Sequence, residues 1–202
     1  MKQTIFKLNV LSQHDAVDID KEALIAHIDK SNELFTEDRD STRTEDTRIE
    51  WNEDLQKILD AAVALMVKEG LVNKGVKFGV PKGEFWAHVH EKNMSTNTHH
   101  HGHAPLSVVY WLSVPEGSGS LRFHLKPEFL DTPIIDPQEN TLIVFPGWVE
   151  HSVGRNYSDE RRISISMNLF PERLSEEELE LQEQQEQQEQ QEEEPAIEPE
   201  VV

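Results

Sequence analysis

The chain has no cysteine. That excludes disulfides and every thiolate metal site, so any metal must be held by histidine or carboxylate. It also has no apolar run near the roughly 20 residues that a membrane helix needs. The first ten residues, MKQTIFKLNV, hold no long apolar core of the signal-peptide kind. A cytoplasmic location follows as an expectation. Basic residues are scarce, 19 lysines and arginines against 39 acidic residues. Phosphate neutralisation requires lysine and arginine, so a nucleic-acid partner is disfavoured.

The negative charge is uneven. Residues 175–202 hold twelve glutamates and no lysine or arginine, which leaves a net −8 of the total −20 for residues 1–174. Their QEQQEQQEQQ run repeats every three residues and has no apolar seam. Three matches no coiled-coil period, so this stretch reads as a disordered acidic tail over 173–202. The other 172 residues suffice for one domain with its own core.

Within 1–72 the periodicity is helical. Phe6, Leu8 and Val10 suggest an edge strand over 4–11. Asp18 or Asp20 can cap a helix running to about Phe35. Residues 36–47 are polar, without period, and read as loop. Trp51 or Asn52 opens a second helix, with Leu55, Ile58, Leu59, Ala62, Val63 and Met66 on one stripe and Gly70 as its stop. Both helices read as outer support for a sheet.

From residue 73 to 172 the texture is that of short strands and turns. Strands are expected over 85–90, 106–114, 121–125, 141–145, 149–153 and 161–170, with a short one at 133–135 inside the 127–140 loop. Seven or eight strands with Pro/Gly turns indicate a mainly β sandwich or barrel of jelly-roll type. In the first strand Trp86, His88 and His90 share one face, and Phe85, Ala87 and Val89 the other. A pocket role for His88 and plain satisfied histidines both stay open.

The chemistry concentrates in two blocks. The first is the cluster HHHGH at 99–103. His99 and His101 are two apart, so in extended backbone both rings point to one side and can share a metal. His101 with His103 is the alternative register. The second block, TLIVFPGWVEHSVGRNYSDERRISISMNL at 141–169, holds His151 and then Arg162. His151 is the natural third ligand, and a three-ligand site keeps positions open for substrate. Arg162 and Ser164 share a strand face. If that face is interior, the guanidinium requires an anion, and a carboxylate suits its fork. A solvent-facing Arg162, Ser164 and Ser166 is the other possibility. Arg161 reads as a surface partner of Asp159 or Glu160.

These two blocks, HHHGHAPLSVVYWLSVPEGSGSLRF and the 141–169 segment, resemble the iron(II)/2-oxoglutarate-dependent oxygenases, and within them the prolyl-4-hydroxylase-like group of phage and bacteria. The resemblance spans about 85–169. It implies a double-stranded β-helix carrying Fe(2+) and 2-oxoglutarate as cofactors. It also implies metal ligands at His99, His101 and His151. Arg162 with Ser164 would hold the distal carboxylate of 2-oxoglutarate. Tyr110 and Trp111 fall where the family has tyrosines, one of which contacts 2-oxoglutarate. The activity implied is hydroxylation of an unactivated C–H bond, with release of succinate and carbon dioxide. One departure stands out, because His101 occupies the position of the usual carboxylate ligand. Glu150 adjoins His151 but should point to the opposite face. Two other readings stay open: a cupin-type three-histidine metalloprotein that does not use 2-oxoglutarate, and a non-catalytic structural or assembly protein on the same barrel. The substrate is not readable.

Overall fold

The computed structural model describes residues 9–31, 34–35, 42–44, 49–125 and 133–172. The expected strand face at Phe6 and Leu8 and the acidic tail at 173–202 lie outside these residues.

Two helices form where capping and periodicity agree. Helix α1, Lys21–Lys30, starts at Asp20, whose side chain accepts from the Ala23 amide. Helix α2, Glu53–Lys68, starts at Asn52, whose side chain accepts from the Leu55 amide. Its stripe of Leu55, Ile58, Leu59, Ala62, Leu65 and Met66 is buried. Gly70 follows with φ +66°, a left-handed conformation that stops the helix without a Cβ penalty. Helix α1 ends at Ser31, short of Phe35. The Ser31 amide and hydroxyl both bond the His27 carbonyl, and the chain then enters a strand.

The strands, in chain order, are β1 Leu11–Gln13, β2 Leu34–Phe35, β3 Thr42–Thr44, β4 Phe78–Gly79, β5 Phe85–His90, β6 Thr96–His99, β7 Leu106–Ser113, β8 Leu121–Phe123, β9 Ile134–Ile135, β10 Thr141–Pro146, β11 His151–Val153 and β12 Arg162–Pro171. They build an eight-stranded sheet ordered β1-β10-β7-β12-β5-β3-β2, with β4 on β12, and a four-stranded sheet ordered β6-β11-β8-β9. This is the jelly-roll architecture of a double-stranded β-helix, mainly β with two helices on one side. Several strands differ from expectation: β2 lies where a helix was expected, β4 was not foreseen, and β3 and β6 form from polar segments. Residues 42–44 are not loop: β3 pairs with β5, Thr42 opposite Val89. Strand β6, of sequence TNTH, carries no apolar alternation at all. Both exist because a neighbouring strand offers backbone partners, a tertiary effect that outweighs local pattern.

Alternation on the large sheet sorts side chains into two cores. Val108, Tyr110 and Leu112 of β7, Leu142 and Val144 of β10, and Ile163, Ile165, Met167 and Leu169 of β12 pack with α1 and α2. Trp111, Leu121, Phe123, Ile143, Phe145 and Val149 fill the space between the sheets. The first core is the larger, and it makes the big sheet a rigid wall for whatever lies on its other side. Ile58 sits at the centre of that core, fully buried. Ile58→Ala should lower stability by about 2–5 kcal/mol. A urea unfolding midpoint unchanged from the parent would contradict the packing of α2 on the sheet.

Candidate metal and anion site

The inner face of the large sheet and the small sheet enclose a cleft. Strand β12 supplies one wall. Its outward alternation from Ile163 leaves Arg162, Ser164, Ser166 and Asn168 facing inward, all buried. The solvent-facing possibility for Arg162, Ser164 and Ser166 is therefore excluded. Cross-strand pairing arranges the wall in rows: His90 opposite Arg162, His88 opposite Ser164, Trp86 opposite Ser166 on β5, and Trp111 opposite Ser164 on β7.

Three histidines face this wall from the small sheet. His99 ends β6 and pairs directly with His151, the first residue of β11. Their ring centroids are 4.3 Å apart. His101 follows in the turn, 5.0 Å from His99 and 5.3 Å from His151 by ring centroid. One ligand nitrogen from each ring lies within 4.8 Å of the other two. The turn holding His101 is tight. The His101 amide donates to the Gly147 carbonyl at 2.6 Å. A Cβ on Gly147 would come within 2.4 Å of the Ala104 carbonyl oxygen, so this crossing requires glycine.

The hydrogen bonds select the ligand atoms. His99 Nδ1 lies 2.8 Å from the Asn97 carbonyl, and His151 Nδ1 lies 2.9 Å from the Val149 carbonyl. A carbonyl only accepts, so each Nδ1 carries the proton and each Nε2 keeps its lone pair. Protonation of the rings is suppressed as well. Burial, then the neighbouring His99, His151, His103 and His100, pull His101 down to about 3. Burial and then His99 hold His151 down at about 4. Unprotonated imidazoles converging on one point form a donor set that fits a divalent cation such as iron(II). Among the described residues no carboxylate joins this group.

His103 belongs elsewhere. Its Nε2 lies 3.0 Å and 3.1 Å from the two Glu84 carboxylate oxygens, away from the other three rings. The His101/His103 register is thus not assembled. Tyr110 is a second correction. It packs in the helix-side core, with its hydroxyl donating to Asn140 Oδ1 at 3.0 Å, and burial pushes its pKa up to about 12. Adjacent strand residues point to opposite faces, so Trp111 lines the cleft and Tyr110 does not. Arg161 also departs from expectation. It holds Asp29 on α1 with two bonds of 2.7 Å and 2.9 Å, while Asp159 takes Lys92.

Arg162 is 1% exposed. Nη1 donates to the Gly119 carbonyl at 2.9 Å, Nη2 to His90 Nδ1 at 3.3 Å, and Nε has no partner. No described carboxylate pairs with it. Burial alone draws its pKa down to about 10, so it stays a cation at neutral pH. A buried, unneutralised guanidinium with an orphaned N–H calls for an external anion.

Composition alone did not single out Ser107 and Asn168, which also line the cleft. The Ser107 hydroxyl donates to Asn168 Oδ1, and Asn168 Nδ2 donates to Glu84. Extending the alternation from Arg162 by six residues would have found Asn168.

Residues 84–168 match the family described as "Putative 2OG-Fe(II) oxygenase". No curated sequence matches the chain. Among solved structures, a 2OG-Fe(II) oxygenase family oxidoreductase from Burkholderia pseudomallei superimposes with TM-score 0.62 at 13% identity, covering 79% of this chain and 83% of that one. A Pseudomonas putida prolyl-4-hydroxylase gives 0.55 at 19%, covering 81% and 92%. The epimerase SnoN, solved with Fe3+, alpha ketoglutarate and nogalamycin RO, gives 0.60 at 14%, covering 80% and 78%. At these identities the superpositions speak for the shared fold. No described helix is long and apolar enough to cross a membrane.

The lowered histidine pKa values carry a linkage sign. His90 is held down at about 3 by burial and by Arg162. An unfolded histidine titrates near 6.5, so between pH 6.5 and about 3 the unfolded chain binds a proton there that the folded chain does not. Stability from this group is therefore full above pH 6.5 and falls as the pH drops. At pH 5, His90→Leu should take up about one proton fewer than the parent on unfolding. Equal uptake by the two, measured in a pH-stat, would mean that His90 is already protonated in the fold.

Proposed function

We propose, from the premise that residues 84–168 belong to the 2OG-Fe(II) oxygenase family, that this chain is an iron(II)- and 2-oxoglutarate-dependent dioxygenase that hydroxylates an unactivated C–H bond of its substrate. The observation that carries this reading is the pairing, across one cleft, of three converging imidazoles with a buried arginine that has no carboxylate partner among the described residues.

In this reading His99, His101 and His151 bind the metal. Bound there, iron(II) and 2-oxoglutarate would activate dioxygen, the oxidant, one of whose atoms would enter the substrate as hydroxyl and the other the 2-oxo acid, which would leave as succinate and carbon dioxide. Three neutral donors leave the full charge of a divalent cation in the site, which suits a dianionic cosubstrate. Arg162 takes the distal carboxylate on its free N–H groups, and the Ser164 hydroxyl, two residues along the same face, adds a donor. Trp111, opposite Ser164, and Trp86, whose ring lies 5.3 Å from the His101 ring, close the sides of the cleft against water. Residues 1–172 act as one oxygenase-like domain, with 1–72 supporting the β-helix core at 73–172 and with 173–202 as an acidic tail. We place the protein in the cytoplasm and regard its acidic charge as unsuited to a nucleic-acid substrate.

The test is an anaerobic titration with iron(II) and then 2-oxoglutarate, followed by the weak visible charge-transfer band of the chelate. The band should appear only with both. Iron binding without chelation would favour a three-histidine metal site of cupin type, and binding of neither would leave a scaffold. His99→Ala and His151→Ala should each abolish tight iron(II) binding, whereas His103→Ala should leave it intact. Loss of binding with His103→Ala alone would reverse the ligand assignment. Arg162→Ala should weaken 2-oxoglutarate by about 1.5–3 kcal/mol, roughly 10- to 150-fold, with iron(II) affinity retained. Equal 2-oxoglutarate affinity in mutant and parent would remove Arg162 from the role.

A further inference from the structure

His90 is fully buried, directly opposite Arg162 in the β5–β12 pairing, and takes no part in the metal cluster. Its Nδ1 lies 3.3 Å from Arg162 Nη2, and its Nε2 lies 2.8 Å from Thr96 Oγ1. A guanidinium nitrogen can only donate, so Nδ1 is the acceptor and the proton sits on Nε2. Nε2 then donates to Thr96, on the strand that ends in His99. The His90 backbone is fixed too, because Asn156 Nδ2 donates to its carbonyl at 2.9 Å and to that of Glu160 at 2.8 Å. The imidazole thus bridges the arginine wall and the strand that bears a metal-site histidine.

The other support of Arg162 is the Gly119 carbonyl, and it too is uncharged. Its place is fixed by close packing: a Cβ on Gly119 would lie 2.1 Å from the Gly154 carbonyl carbon and oxygen. Both supports therefore orient the guanidinium without neutralising it. An aspartate or glutamate at position 90 would hold the fork equally well but would consume its charge.

We propose that His90 is a positioning residue for the anionic cosubstrate: it aims the Arg162 guanidinium with an uncharged acceptor, so that the cation remains available to the ligand carboxylate. This role rests on the oxygenase reading above and names a residue that acts through Arg162. One proton on each terminal nitrogen engages His90 or Gly119. Nε–H and the second proton of each terminal nitrogen remain for the ligand.

The test compares three variants by anaerobic 2-oxoglutarate titration of the iron(II)-loaded protein. His90→Asn keeps an uncharged acceptor near the Nδ1 position, and its dissociation constant should stay within about threefold of the parent. His90→Asp keeps the shape but adds a negative charge, and His90→Leu removes the acceptor. Each should weaken 2-oxoglutarate about tenfold or more, with iron(II) affinity changed by less than about twofold. A purely structural role would not separate Asn from Asp in this way. Equal affinities in His90→Asn and His90→Asp would overturn the proposal even if His90→Leu does not fold. A ligand-free readout is histidine 15N NMR, which should show the Nε2–H tautomer for His90 at neutral pH. A Nδ1–H tautomer would also overturn it. Failure of the parent to bind 2-oxoglutarate defeats the functional reading and this role together. Parental binding unaffected by either His90→Asp or His90→Leu defeats this role alone.

Discussion

A positive charge held out of water is the constraint on which this structure turns. Arg162 is buried on the inner face of the large sheet, with neutral partners and, among the described residues, no counter-ion. Such a group costs several kcal/mol unless something compensates it. The helix-side core bears that cost. Ile163, Ile165, Met167 and Leu169 alternate with Arg162, Ser164, Ser166 and Asn168 on one ten-residue strand, so the same backbone anchors the apolar wall and displays the polar one. Shifting β12 by one residue would bury four polar groups under the helices. The register is therefore fixed by the core, and the placement of the site follows from it.

The histidine side obeys a different logic. Strands β6 and β11 are short and poor in apolar residues, and they contribute little packing of their own. Their histidines are set by backbone crossings: the His99–His151 pair, the His101 amide on the Gly147 carbonyl, and carbonyls that take the Nδ1 protons of His99 and His151. Phe145 packs edge-on against His151 at 4.9 Å and limits its rotation. The cleft thus joins a wall made rigid by hydrophobic burial to a wall made rigid by hydrogen bonds.

How much of this was legible in the sequence depended on whether the signal was periodic. The α2 stripe, the β7 and β12 alternations and the Asp20 and Asn52 caps could be read, because each is a local pattern with a local cause. The convergence of His99, His101 and His151 was readable from spacing together with resemblance. Strands β3 and β6 were not, since polar segments such as TRT and TNTH become strands only when a partner edge is present. Tyr110 misled for a subtler reason. A pair of adjacent aromatics cannot both face one cleft, and alternation from Leu112 already assigned Tyr110 to the helix side. The neutral support of Arg162 by His90 was also hidden, because a contact between residues 72 positions apart leaves no mark on either local pattern.

Charge bookkeeping ties the two walls together. The chain as a whole is strongly acidic, yet among the described residues the cleft has no carboxylate in its lining and none in the histidine group. Glu84, which accepts from the cleft-lining Asn168, also bonds His103. His90, His101 and His151 are held well below the usual histidine range, chiefly by burial, and Arg162 is a buried cation in the same cleft. A divalent cation bound by neutral imidazoles would add two more positive charges. An interior carrying such positive charge is costly without anions, and a dicarboxylate bound in the cleft would compensate most of it. With His101 as third ligand in place of a carboxylate, as proposed, metal and anion binding would be interdependent, since each would relieve the electrostatic cost of the other.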